Sequence, residues 1–240
     1  MTLNFYIDRA AQIPDRWLEF ILKEELLLVS KVPLEFFTLN KFGELVYVTT
    51  KGEIAVDLVS AYQRFYLQRG KVSPGPLYRA LGLKNRVDVN VVDATGGTGK
   101  DSALLLSFGV VLTVFERNPI LQVLWRSEVF RLQQKKTLPL SFIANDIQKQ
   151  VFSELPQIIY FDPMYQQKDK NAKALSRQSM EVFEEIVGED HDQKEVLQYL
   201  KTVATERVVV KRPVKGAPLL APTMSYTGKT ARYDVYVIKK

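Results

Sequence analysis

Two hydrophobic periods divide the chain. Up to residue 70, apolar residues come in short runs separated by charged turns. Residues 4–7 read as a short strand. Pro14 opens a helix expected to run to about residue 29, with Trp17, Phe20, Ile21, Leu27 and Leu28 on one face. Runs at 35–39, 45–50 and 54–59 read as strands, and the turns at 41–44 and 51–53 carry Gly43 and Gly52. The expectation is an antiparallel meander beside one helix, a small α+β unit over residues 1–70. It holds no catalytic pattern and reads as a packing or substrate-positioning unit.

Residues 61–84 interleave charge and ring: Tyr62, Arg64, Phe65, Tyr66, Arg69 and Lys71. Such a stretch can stack on bases or pair with phosphates. Pro74-Gly75-Pro76 breaks the chain, and a short helix over 77–81 is expected to end at Gly82. The organisation expected is a unit over 1–70, a basic connector over 71–86 and a second domain over 87–240.

From residue 87 strands and helices alternate. Strands are expected over 89–93, 110–116, 140–144, 158–161 and 207–211, with helices over 101–108, 119–132, 176–187 and 193–204. Asn118-Pro119 is an N-cap followed by an N1 proline. Runs at 224–227 and 231–238, joined through Gly228, read as a closing hairpin. Asp93, Glu116, Asn145-Asp146 and Asp162 stand at successive strand ends, which predicts one crevice at one edge of a mainly parallel sheet.

The stretch VNVVDATGGTGKD, residues 89–101, joins a strand to a helix through Gly96, Gly97 and Gly99. Glycines let the backbone approach a ligand closely. Glu116, at the end of the next strand, suits a ribose, because a carboxylate accepts from both hydroxyls. A phosphate-binding P-loop fails twice: Ala94 stands at its first glycine, and Asp101 where Ser or Thr should hold a metal. A dinucleotide fingerprint is only half supplied, and Asp93 and Asp101 are poor neighbours for a pyrophosphate. S-adenosylmethionine has a ribose and a cationic tail but no phosphate, so acids around the turn suit it. Asp93, Gly97, Gly99, Asp101 and Glu116 are therefore candidate cofactor residues. A tight turn with no ligand is the competing reading.

Asp162-Pro163-Met164-Tyr165 is the second decisive motif. It is close to the Asp/Asn-Pro-Pro-Tyr/Phe signature of enzymes that methylate exocyclic amines of bases. Such an amine is a weak nucleophile, because its lone pair is delocalised into the ring. Asp162 and the Pro163 carbonyl can accept its two hydrogens, and Tyr165 can stack on a flipped-out base.

Composition narrows the chemistry further. Cysteine is absent and His191 is the single histidine, which excludes thiol nucleophiles, disulfides and histidine metal clusters. No run has transmembrane length and residues 1–12 lack a signal-peptide pattern, so a cytoplasmic protein with no membrane or metal partner is expected. The net charge of +6 is uneven: residues 207–240 carry eight Lys or Arg against one acid. A basic face beside a ligand site points to a polyanion, RNA or DNA.

Taken together, these motifs resemble the ribosomal RNA small subunit methyltransferase J family. The resemblance rests on VDAT-x-G-x-G-x-D (92–101), ERNP (116–119), DPM-[FY] (162–165), EVFEEIVG (181–188), RVVVKRP (207–213) and K-x-x-RYDVY (229–236). It implies a Rossmann-like class I methyltransferase, α/β, with a mainly parallel seven-stranded sheet and a C-terminal antiparallel hairpin. It also implies S-adenosylmethionine as cofactor and transfer of its methyl to the exocyclic N2 amine of a guanosine in 16S ribosomal RNA. Family cofactor contacts carry over to Lys100, Asp101, Glu116, Arg117, Asn145, Asp146 and Asp162. Two places depart from the family pattern, Gln166 after the catalytic motif and QRGKVSPG at 68–75. Lys168, Lys170, Lys173 and Arg177, with Lys211, Arg212, Lys215, Lys229 and Arg232, are candidates for holding RNA phosphates. The expected partner is 16S ribosomal RNA or the small subunit, and the oligomeric state is left open. A DNA adenine-amine methyltransferase and a non-catalytic RNA-binding or ribosome-assembly module remain the rival readings.

Overall fold

A computed structural model of the chain describes residues 3–6, 13–29, 31–68, 75–133, 138–163, 174–188 and 191–239, without the side chains of 133 and 174–180. The first unit comprises β1 (Asn4–Tyr6), α1 (Asp15–Lys23), β2 (Leu27–Val29), β3 (Phe36–Leu39), β4 (Leu45–Thr49), β5 (Gly52–Ile54) and α2 (Leu58–Gln68). Its sheet runs β2-β1-β3-β4-β5. The meander β3-β4-β5 is antiparallel as expected, but β1 pairs in parallel with both β2 and β3.

Two elements differ from the sequence reading. The first helix stops at Lys23 and not near residue 29. Glu25 turns left-handed at φ 54, and the Leu26 N–H bonds back to the Ile21 carbonyl. The next three residues then pair with β1. Trp17, Phe20 and Ile21 do share the buried face, but Leu27 and Leu28 are exposed on the sheet edge. The expected strand over 54–59 is a strand end followed by a helix start. Short apolar runs fit either element. Here the choice is tertiary: the Val59 N–H, in the first turn of α2, donates at 3.0 Å to Glu128. An orphan helix donor is thus satisfied from 69 residues away.

After α3 (Pro76–Ala80) come β6 (Asn90–Asp93), α4 (Lys100–Ser107), β7 (Val111–Phe115), α5 (Pro119–Gln133), β8 (Leu140–Ile143), β9 (Ile158–Phe161), α6 (Ala174–Val187), α7 (Gln193–Val203), β10 (Arg207–Arg212), β11 (Met224–Thr227) and β12 (Arg232–Val237). The order is β11-β12-β10-β9-β6-β7-β8; β12 is antiparallel to β11 and to β10, and the other neighbours pair in parallel. The chain leaves β6 for β7 and β8 on one side, then crosses back to β9 and β10 on the other. The switch point lies between β6 and β9, and ligands bind at the carboxyl ends of strands there. No helix among the described residues is long and apolar enough to cross a membrane.

One apolar core runs from Phe5, Trp17 and Phe37 of the first unit through Leu105, Leu121 and Trp125 to Val209 and Val235. Helix α5 is wedged between the two sheets. Trp125 on it stacks on Phe142 of β8 at 5.3 Å, and Phe130 meets Trp17 and Phe20 of α1 at 6.1 and 5.9 Å. Trp17, Phe20 and Trp125 are buried, and full burial of a large apolar side chain contributes about 1.5–3 kcal/mol of transfer free energy.

Candidate active site

The glycine turn is held open by its neighbours. The Gly96 N–H donates to Phe115 O at 2.8 Å, and a Cβ on Gly96 would lie 2.7 Å from Trp125 Nε1. Trp125 Nε1 itself donates to Gly97 O at 3.0 Å. Gly97 and Gly99 are left-handed, φ 50 and 79. Glu116 ties the second strand to this turn: its Oε2 accepts from Gly97 N at 2.8 Å and its Oε1 from Asn118 N at 2.7 Å. A carboxylate accepts at about four sites, so Glu116 retains capacity for a ribose hydroxyl. Burial raises its pKa against these backbone bonds. The Asn118 Oδ1 then accepts from Ile120 N and Leu121 N, capping α5 as its sequence requires.

Asp93 is fully buried, and both its oxygens are taken. Oδ1 accepts from Thr95 N at 3.0 Å and Oδ2 from the Ser102 hydroxyl at 2.5 Å. Burial pushes its carboxyl up to about 8. The Thr95 hydroxyl in turn accepts from the Asp162 N–H at 2.8 Å. The end of β6 is therefore wired to Asp162, at the start of the candidate catalytic motif. Asp93 lies behind the cavity wall and braces the turn.

Three charges meet beside that motif. Lys211 Nζ donates to Asp101 Oδ2 at 2.7 Å and to Asp162 Oδ2 at 2.8 Å. The buried Tyr160 hydroxyl donates to the same Asp101 oxygen at 2.5 Å. Burial raises Asp162 to about 7, with the Asp101 carboxylate adding to it and Lys211 opposing. Burial works on Asp101 too, but Lys211 overrides it and holds that carboxyl below its ordinary range. Burial disfavours the Lys211 charge, yet Asp162 and Asp101 together raise its pKa.

These groups border one cavity of about 660 Å³. Of the candidate cofactor residues, Gly97, Gly99, Lys100, Asp101, Glu116, Arg117, Asn145, Asp146 and Asp162 line it, and Asp93 does not. Asp146 caps a 3-10 turn at Ile147–Lys149 through Gln148 N, at 3.0 Å, and Asn145 Oδ1 accepts from Asp146 N. Arg117 forks onto Asp192 at 2.8 and 3.3 Å. Leu121, Ile147, Phe161, Phe183, Val187 and Val196 supply apolar surface.

The first unit builds part of the wall, which its lack of motifs does not announce. Glu53, Ile54, Ala55 and Asp57 line the cavity, Asp57 N donates to Thr98 O at 2.8 Å, and Val56 packs on Gly99. The usable sequence signal was Asp57 just ahead of an apolar run, a helix-start pattern. Seven carboxylates and three cations line the whole space, so its donor set fits a cationic ligand with a ribose and not a pyrophosphate.

The basic candidates scatter. Lys211 sits inside the cavity between two carboxylates and is not presented to a phosphate. Arg232 forks onto buried Asp234 at 2.7 and 2.9 Å, inside the fold. Arg212 donates to Ala217 O at 2.7 and 3.1 Å. Lys215 and Lys229 are exposed. Tyr165, Lys168, Lys170 and Lys173, and the side chain of Arg177, lie outside the described residues.

A strand order that reverses beside a glycine turn, a buried acid at the second strand end and Asp162 at the fourth define a Rossmann-like class I methyltransferase. Residues 31–238 match the family model described as "Putative SAM-dependent methyltransferase". A ribosomal RNA small subunit methyltransferase J of Thioalkalivibrio sulfidiphilus is 36% identical over 197 residues, 78% of this chain and 76% of the relative. Its namesake in Chromobacterium violaceum is 30% identical over 229 residues, 89% and 88% of the two chains. The crystal structure of a SAM-dependent methyltransferase from Neisseria gonorrhoeae superposes with a TM-score of 0.72 at 25% identity, covering 98% of this chain and 96% of that one. The chain belongs to the ribosomal RNA small subunit methyltransferase J family, and its cofactor is S-adenosylmethionine.

Proposed function

We propose that this protein methylates the exocyclic N2 amine of a guanosine in 16S ribosomal RNA, free or in the small subunit. One observation carries the reading: Asp162 and Glu116 border the same acid-lined cavity, and Thr95 fixes the Asp162 backbone at 2.8 Å. When bound, S-adenosylmethionine supplies an electrophilic methyl group. Glu116 holds the ribose hydroxyls. Asn145 and Asp146 face the adenine, with Arg117 shaping that end. Gly97, Gly99, Lys100 and Asp101 surround the amino-acid tail, and the first unit closes the cavity beside them.

Asp162 and the Pro163 carbonyl accept the two amine hydrogens and favour its pyramidal form. Forming the N–C bond would break the methyl–sulfur bond and release the neutral thioether S-adenosylhomocysteine; the amine then loses one proton, and a carboxylate poised near neutrality is matched to receive it. Tyr165 stacks on the flipped base, worth about 1–3 kcal/mol. Alignment supplies most of the acceleration, about 7–11 kcal/mol where reacting groups are well placed. Lys168, Lys170, Arg212 and Lys229 hold phosphates around the base.

The test mixes the protein with methyl-labelled S-adenosylmethionine and small subunits from cells lacking this gene, then maps the label by nucleotide. Label on a guanosine N2 of 16S RNA is expected. Asp162→Ala should lower transfer at least about a hundredfold while cofactor binding persists, the scale set by loss of a general base. Label on DNA alone, or undiminished transfer by Asp162→Ala, overturns the proposal.

A further inference from the structure

Lys211 occupies a costly position. Partners Val210 and Phe161 are in register on parallel strands β10 and β9, so the next residues, Lys211 and Asp162, stand side by side at the strand ends. Asp101 reaches in from the first turn of α4, and Tyr160 donates to it from β9. Tyr233, the register partner of Lys211 on β12, adds a further titratable group, held up to about 12 chiefly by burial. Asp93 lies behind, under Thr95. The cavity takes a cationic cofactor, so a fixed ammonium on its wall opposes binding by Coulomb repulsion. Its benefit therefore lies with the other reactant.

We propose that Lys211 is a positioning residue for methyl transfer: bridging Asp101 and Asp162, it keeps Asp162 an ionised, fixed hydrogen-bond acceptor for the target amine. The inference rests on the assignment of Asp162 above. Two carboxylates this close, without a cation between them, share a proton. A protonated Asp162 would donate where it must accept. Lys211 lessens that competition by offering one ammonium to both, while burial and Asp101 still hold Asp162 up to about 7. The direction of the shifts agrees, since Lys211 lowers both carboxyls against burial.

The experiment measures methyl transfer to small subunits against pH for the wild type, Lys211→Gln, Lys211→Met and Lys211→Arg, with cofactor affinity by equilibrium dialysis and folding by thermal melt. Without the cation Asp162 holds its proton to higher pH, so the acid limb moves up. A shift of one pH unit lowers transfer about tenfold on that limb, and the loss is recovered at alkaline pH. The expected result is such a shift in the Gln and Met variants, with cofactor affinity equal to or tighter than wild type. Lys211→Arg keeps the charge and should keep the wild-type limb. A neutral variant whose limb superposes on wild type overturns the inference. So does a loss of rate equal at every pH, or failure of both neutral variants to fold, since either makes Lys211 merely structural. Absence of transfer by the wild type at any pH would instead remove the methyltransferase reading itself.

Discussion

Asp93 shows how one residue ties stability to the site. It ends β6 with no solvent exposure, and burial raises its carboxyl from 3.8 to about 8. Between those values the folded chain keeps a proton that the unfolded chain has lost. The stabilisation this gives is therefore full below about pH 4 and is lost as pH rises through about 8. Asp93→Asn abolishes the titration but keeps an acceptor for the Thr95 N–H. Its melting temperature should fall less than that of wild type between about pH 5 and 8, the window set by proton linkage. Equal slopes would mean that Asp93 is ionised in the native state. Glu116, Glu128 and Asp162 are raised as well, so the slope shrinks without vanishing. At this scale the strand-end acids were legible, because a carboxylate after an apolar run has few structural uses. Lys211 was not. In sequence it belongs to a basic tail, and only its register with Asp162 turns it inward. Nor were Thr95 and Tyr160, whose hydroxyls matter through partners 67 and 59 residues away.

At the scale of elements, the strand–turn–helix pattern from residue 87 was readable because each strand is a short apolar run and each helix has its own local cap. Asn118-Pro119 is such a case. The first unit was less readable. Its second helix begins where Glu128, on α5, accepts from Val59 N, and its first ends where Glu25 turns left-handed. Asp57 ahead of the apolar run is the one local sign of that helix start, and the Glu128 contact that fixes it is not local. The same packing makes a prediction about the glycine turn. A Cβ on Gly99 would lie 2.8 Å from Val56 Cγ1, and φ is 79. Gly43 has a similar φ, 71, but nothing within 4 Å of the added carbon. Gly43→Ala should cost about 1–2 kcal/mol from backbone strain alone. Gly99→Ala should cost that and a further 1–3 kcal/mol or so from overpacking, and weaken cofactor binding, because the cavity wall at the glycine turn must shift. Denaturant midpoints compare the two, and equal losses would argue that the first unit does not press on the turn.

At the scale of the molecule, counted charge and displayed charge differ. Of the eight cations in the last stretch, Lys211 faces two carboxylates, Arg232 faces Asp234, and Arg207 donates to Ala80 O at 3.3 Å. The sequence count therefore overstates the basic surface left for RNA. Connectivity differs from sequence organisation in a similar way. The change of period near residue 87 suggests two domains, yet apolar contact runs unbroken from Phe5 to Val235 and the cavity draws its wall from both parts. Arg131 reinforces the join, pairing with Glu128 on its own helix and with Glu44 beside β4 at 3.1 Å. The chain should thus unfold as one cooperative unit. Its two tryptophans are placed to report this, Trp17 in the first unit and Trp125 beside the glycine turn, both buried. Trp17→Phe and Trp125→Phe each leave one fluorophore. Within each variant, the remaining fluorophore and far-ultraviolet circular dichroism should give the same midpoint. S-adenosylhomocysteine at about a hundred times its Kd should stabilise both variants by about 2.7 kcal/mol, the linkage expected of one site on one unit. If Trp17 reported a transition well below the circular-dichroism midpoint and insensitive to ligand, the first unit would be a separate domain, and its part in the cavity wall would be incidental to cofactor binding.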